Sequence, residues 1–182
     1  NGMVVVWELD KPMKSTITYG TSDADKKTLE VPVEEGEKFK GESMHMYRAR
    51  LTDLTPGTTY TYKVETEDGQ TMDGHFRTLP ENSDEIRFVV VSDSHRFETA
   101  TKVSDVIAQF DPDFILHTGD MVEGTGSQKD QFPYWFQNVG SFLHNVPVIY
   151  NSGNHDYGVY FDEYVTKVQK EQYKSNKTGR NV

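Results

Sequence analysis

Three short apolar runs in the second half of the chain each end in a polar cluster. Ile86–Val91 runs into Ser92-Asp93-Ser94-His95, Phe114–His117 into Thr118-Gly119-Asp120, and Val146–Tyr150 into Ser152-Gly153-Asn154-His155-Asp156. The intervening segments have helical spacing. Val103, Val106, Ile107 and Phe110 predict a helix over Thr99–Phe110, ended by Asp111-Pro112-Asp113. Phe132, Trp135, Phe136, Val139 and Leu143 predict a second over Phe132–Leu143, and Phe161, Tyr164, Val165 and Val168 a third. Strands alternating with helices fold as a parallel sheet with right-handed crossovers. The continuous run Ile86–Val91 reads as a strand buried on both faces. Ligands of such sheets sit beyond the carboxyl ends of the strands, where all three polar clusters fall.

Residues 1–78 follow a different period. Runs rich in Val, Ile, Thr and Tyr predict strands at Met3–Leu9, Ser15–Tyr19, Thr28–Val33, Met44–Leu51, Tyr60–Thr66 and Thr71–Thr78, with a turn at Asp68-Gly69. In Met44–Leu51 the alternate set His45, Tyr47, Ala49 and Leu51 is expected to face the core, with Met44, Met46, Arg48 and Arg50 opposite. The acidic run Glu34-Glu35-Gly36-Glu37 reads as a solvated turn. Leu54-Thr55-Pro56-Gly57 followed by Tyr60-Thr61-Tyr62-Lys63-Val64 resembles the corner of a fibronectin type III domain, which implies that the Tyr60 hydroxyl reaches back to upstream backbone. Proline and small polar residues make 79–84 a linker. The expected organisation is a β-sandwich over 1–78 followed by a partial α/β core over 85–182.

The polar clusters carry the chemistry. With no cysteine in the chain, any metal must be held by carboxylate, imidazole or amide oxygen. Asp93 and His95 lie two apart, so in extended backbone both would face one ion. Asp120 comes from the next strand end and has two oxygens to offer, and Asn154 contributes a neutral oxygen. Gly119 and Gly153 let backbone bend or approach closely. Two ions roughly 3.5–4 Å apart would clamp a phosphoryl group and activate water. The net charge of −10 opposes broad nucleic-acid binding, and no apolar run approaches the length of a membrane span.

The series Asp93-Ser94-His95, Gly119-Asp120 and Gly153-Asn154-His155-Asp156 resembles the calcineurin-like metallophosphoesterase superfamily. The preceding sandwich is similar to that of purple acid phosphatases. The resemblance implies hydrolysis of a small phosphate ester with two divalent ions (Mn, Zn or Fe). Asp93 and His95 would hold the first ion, Asp120 would bridge, and Asn154 would hold the second. His155 would assist the leaving oxygen and Asp156 would orient His155. Where purple acid phosphatases carry an iron-binding tyrosine, this sequence has Glu123, which weakens the case for ferric chemistry and reads as an exposed loop carboxylate. The family's three later histidines and its second sheet do not follow His155, so this stretch alone is expected to bind metal weakly, turn over little substrate, and expose an apolar face prone to self-association.

Other polar and aromatic residues carry lesser expectations. His117 reads as a packed histidine behind the ligands, Trp135 as helix core, Tyr157 as a rim residue and Arg96 as a solvent-facing or phosphate-facing arginine. An extracellular or envelope location is expected from the sandwich fusion alone. The alternative function is a binding or adhesion protein with a degenerate phosphoesterase half.

Overall fold

The computed structural model describes residues 2–35, 44–83, 85–95, 98–124 and 128–170. It divides into two units, one of Asn1–Glu81 with the segment from Glu163 onward, the other of Asn82–Asp162.

In the first unit the alternating pattern produces seven strands: β1 (Met3–Leu9), β2 (Ser15–Gly20), β3 (Lys27–Val31), β4 (Glu34–Glu35), β5 (His45–Leu51), β6 (Thr59–Thr66) and β7 (Thr71–Arg77). They form two antiparallel sheets, ordered β1-β5-β4 and β3-β2-β6-β7. Trp7, Tyr47, Ala49 and Leu51 from one sheet pack with Ile17, Tyr19, Val31, Val64 and Phe76 from the other. Each such buried side chain contributes roughly 1.5–3 kcal/mol. Trp7 stacks on Tyr47 and Tyr60 on Phe76, each with ring centroids 5.5 Å apart. The Tyr60 hydroxyl accepts the Thr55 N–H at 2.9 Å, the reach-back expected at that corner.

The opposite face of β5 departs from expectation, because Met44, Met46 and Arg48 are buried too. The Arg48 guanidinium donates to the Glu163 carboxylate at 2.9 Å, to the Glu163 carbonyl at 2.8 Å and to Glu34 at 2.6 Å. Lys167 also pairs with Glu163, and Tyr164 donates to the Glu8 carboxylate. Glu34 and Glu35 are therefore not a solvated turn: they pair with β5, and Glu34 answers Arg48 and Arg50. Gly36 and Glu37 lie outside the described residues.

The second unit is a three-stranded parallel sheet ordered β10-β9-β8. Its elements are β8 (Phe88–Val91), α1 (Thr99–Gln109), β9 (Phe114–His117), α2 (Gln128–Asn138), α3 (Gly140–Leu143), β10 (Val148–Tyr150) and α4 (Val159–Phe161). A widened turn, Asp162–Thr166, continues α4 and carries Glu163.

Three expectations fail here. β8 is covered on one face only: Phe88 and Val90 are 55% and 56% exposed, whereas Val89 and Val91 are half-buried. Helix α1 buries Ala100, Ser104 and Ile107, leaving Val103, Val106 and Phe110 in solvent. The small residues at i and i+4 permit close approach, which turns the apolar stripe aside. The expected single helix over Phe132–Leu143 breaks at Val139, whose ψ of 9° is not helical. The break changes the phase, so that Phe142 rather than Leu143 is buried. Among the described residues, no helix is long and apolar enough to cross a membrane.

Removing one partner of the buried pair strands a charge in the interior. Glu163→Ala is expected to lower the unfolding free energy by about 3–5 kcal/mol in urea denaturation. Tyr60→Phe, which removes one neutral hydrogen bond, is expected to cost about 1 kcal/mol.

Candidate metal centre

Backbone hydrogen bonds join the three strand ends beyond the sheet. Asp93 N–H donates to the Gly119 carbonyl at 3.0 Å and His95 N–H to the Asp120 carbonyl at 3.1 Å. The pairing that holds β8 to β9 thus continues into the polar clusters. Asp93, His95 and Asp120 sit at φ of 51°, 42° and 55°. Left-handed backbone at non-glycine residues is uncommon and collects at functional sites. Asp93 and His95 therefore do not converge by extended alternation, as expected from their spacing. Asp93 and His95 each hold left-handed backbone on either side of Ser94, and their donor atoms lie within 4.8 Å of each other.

The third cluster is tied in by Asp156. Its buried carboxylate accepts the N–H groups of Asp120 at 2.6 Å, Met121 at 3.0 Å and Gly153 at 3.1 Å. His155 N–H donates to Asp120 Oδ1 at 2.9 Å. Gly119, at φ 120°, lies so close to the β10 end that an added Cβ would sit 2.3 Å from Gly153 N. A Cβ on Gly153 would sit 2.1 Å from Asp120 Oδ1. Both glycines serve close approach, as expected. The expected role of Asp156 changes, because it holds backbone amides and not the His155 ring.

The ring of His155 is oriented elsewhere. Gly124 N–H donates to His155 Nδ1 at 2.6 Å, which leaves the ring proton on Nε2. His95 is the opposite tautomer: Nδ1–H donates to the Val122 carbonyl at 3.2 Å, which places the basic electron pair on Nε2. One nitrogen of His95 and one oxygen each of Asp93 and Asp120 lie within 4.8 Å of one another. His95, Glu123 and His155 form a second such group within the same distance. Glu123 is thus half-buried between two imidazoles and not an exposed loop acid. Asn154 is exposed in the turn directly before His155. Tyr157, though 58% exposed, donates its hydroxyl to the Gly124 carbonyl at 2.7 Å. Arg96 lies outside the described residues.

Behind the ligands, Ser94 Oγ accepts from Trp135 Nε1–H and from His117 Nε2–H, both at 2.8 Å. His117 Nδ1 accepts the Gly119 N–H at 3.2 Å, which fixes that tautomer. His117 is buried, and burial pushes its pKa down to about 4 against the pull of Asp156, Asp93 and Asp120. Carboxylate and imidazole donors suit a hard or borderline divalent cation.

The profile of the calcineurin-like phosphoesterase family matches residues 86–181, and that of the purple acid phosphatase N-terminal domain matches residues 1–78. The chain belongs to the calcineurin-like phosphoesterase family. Among solved structures it is similar to purple acid phosphatase PPD1 from yellow lupin (Lupinus luteus) seeds. The identity is 18% and the TM-score 0.68, over 85% of this chain and 33% of that one. It is also similar to PhoD, at 13% identity and TM-score 0.58 over 94% of this chain and 40% of that one. These likenesses show the fold, and the chain spans well under half the length of either protein. No curated protein matches the sequence.

Two outcomes are expected for the residues around this site. Gly153→Ala forces a methyl against Asp120, so thermal unfolding is expected to show a loss of about 1–3 kcal/mol. The depressed His117 pKa leaves stability intact above its ordinary value of 6.5 and removes it as pH falls toward about 4. That loss is on the order of 3 kcal/mol, and His117→Gln is expected to flatten it in denaturant titrations between the two pH values.

Proposed function

We infer that the protein hydrolyses small phosphate esters, monoester or diester, at a site holding two divalent cations. The observation that carries this reading is the approach of Asp93, His95 and Asp120 donor atoms to within 4.8 Å at adjacent parallel strand ends. Family membership supplies the reaction class, ester hydrolysis at phosphorus.

In this reading Asp93 and His95 hold the first cation and Asp120 bridges. Asn154 offers its amide oxygen to the second. A bound cation pair supplies charge neutralisation of the phosphoryl oxygens and activation of water. Asp120 Oδ1 is steered by the His155 amide, so its carboxylate is pre-oriented. The Nε2–H of His155 donates a hydrogen bond to the leaving-group oxygen, where negative charge builds as the ester bond breaks. Neutral His155 already carries that proton, because Gly124 fills Nδ1. Asp156 keeps the Asp120 and Gly153 amides in register and acts through position alone. The sandwich as a fibronectin type III module, and an extracellular or envelope setting, belong to the same proposal.

The whole protein is expected to cleave p-nitrophenyl phosphate or bis-p-nitrophenyl phosphate when supplied with Mn, Zn or Fe(II). Asp93→Asn is expected to lower kcat/KM by at least two orders of magnitude, since it weakens cation charge neutralisation. Inactivity of the whole protein on both esters across that panel of metals would end the reading.

A further inference from the structure

We propose that Glu123 is a direct ligand to the cation held at His95. The proposal rests on the metal site described above and adds a residue that the motif pattern does not supply.

The backbone around Glu123 is fastened on every side. The Val122 carbonyl accepts from His95 Nδ1, and Glu123 N–H donates to Gln131 Oε1 at 2.8 Å. Gly124 N–H donates to His155 Nδ1, and the Gly124 carbonyl accepts from Tyr157. Gln131 is itself buried on α2, so the anchor is part of the helix core. Four hydrogen bonds therefore fix the three residues Val122, Glu123 and Gly124. A rim residue needs no such support, whereas a ligand does.

The side chain so placed is half-buried and anionic. Its oxygen lies within 4.8 Å of one nitrogen of His95 and one of His155. Among the described residues no group donates a hydrogen bond to the Glu123 carboxylate. A carboxylate with no protein donor keeps its oxygens open to a cation.

The two imidazoles divide the roles. His95 Nε2 carries the basic electron pair, so it can share a cation with Glu123. His155 Nε2 carries the ring proton, so His155 stays a hydrogen-bond donor beside them. His95 belongs to both donor groups, one with Asp93 and Asp120 and the other with Glu123 and His155. A carboxylate ligand beside the imidazole makes the site harder, favouring Mn2+ over Zn2+.

The test titrates the whole protein with MnCl2, following free Mn2+ by electron paramagnetic resonance and heat by calorimetry. Glu123→Gln keeps the shape and removes the charge. It is expected to weaken Mn2+ binding at least tenfold while leaving metal-free thermal unfolding nearly unchanged, and Glu123→Asp is expected to recover part of the loss. Asp93→Asn serves as the reference for the site itself. Mn2+ affinity unchanged in Glu123→Gln but lost in Asp93→Asn would overturn the role of Glu123 and leave the site standing. Affinity unchanged in both variants would overturn both, as would absence of Mn2+ binding by the unsubstituted whole protein.

Discussion

The Asp156 carboxylate is the hub of the second unit. It is buried, and it gathers the amide groups of Asp120, Met121 and Gly153 from two different strand ends. Hydrogen bonds from backbone amides to an ionised carboxylate are stronger than neutral ones. Without that acceptor, three N–H groups would be left without partners inside the turn, each at a cost of roughly 1–3 kcal/mol. Their satisfaction allows Gly119 and Gly153 to meet backbone to backbone, and that contact sets where Asp120 and His155 stand. The positions of Asp120 and His155 thus follow from one residue outside both donor groups.

Strain and repulsion are stored in the same place. Asp93, His95 and Asp120 all hold left-handed backbone, which costs of order 1–3 kcal/mol per residue. Asp93 and Asp120 also bring like charges together around His95. Neither arrangement stabilises the fold. Both make sense as preparation for a cation, whose charge offsets the carboxylates and whose binding recovers the backbone cost. Ser94, Trp135 and His117 form a neutral backing to this charged edge, with His117 kept uncharged by burial.

In the first unit, a polar interaction settles what the apolar pattern leaves open. β5 presents Tyr47, Ala49 and Leu51 to the sandwich core, as its alternation indicates. Arg48 points the other way yet is buried, because Glu163 and Glu34 neutralise it. Strand alternation tells the two faces apart but cannot say that both are covered. The partner, Glu163, lies more than a hundred residues away in sequence.

The order of strands and helices, the meeting of Asp93, His95 and Asp120, and the need for glycine at 119 and 153 were legible in the sequence. Each depends on local spacing, on residue chemistry or on a motif resemblance carried by neighbouring residues. The neighbours of Asp156 and Glu123 were not legible, nor was the true buried face of α1. Those depend on which groups from distant segments meet, and hydrogen-bond partners and helix rotation are settled by packing. Local pattern placed the chemistry at the strand ends. Only the tertiary contacts decided which carboxylate joins the clustered donors and which holds the backbone, because a carboxylate's role is set by the groups that surround it.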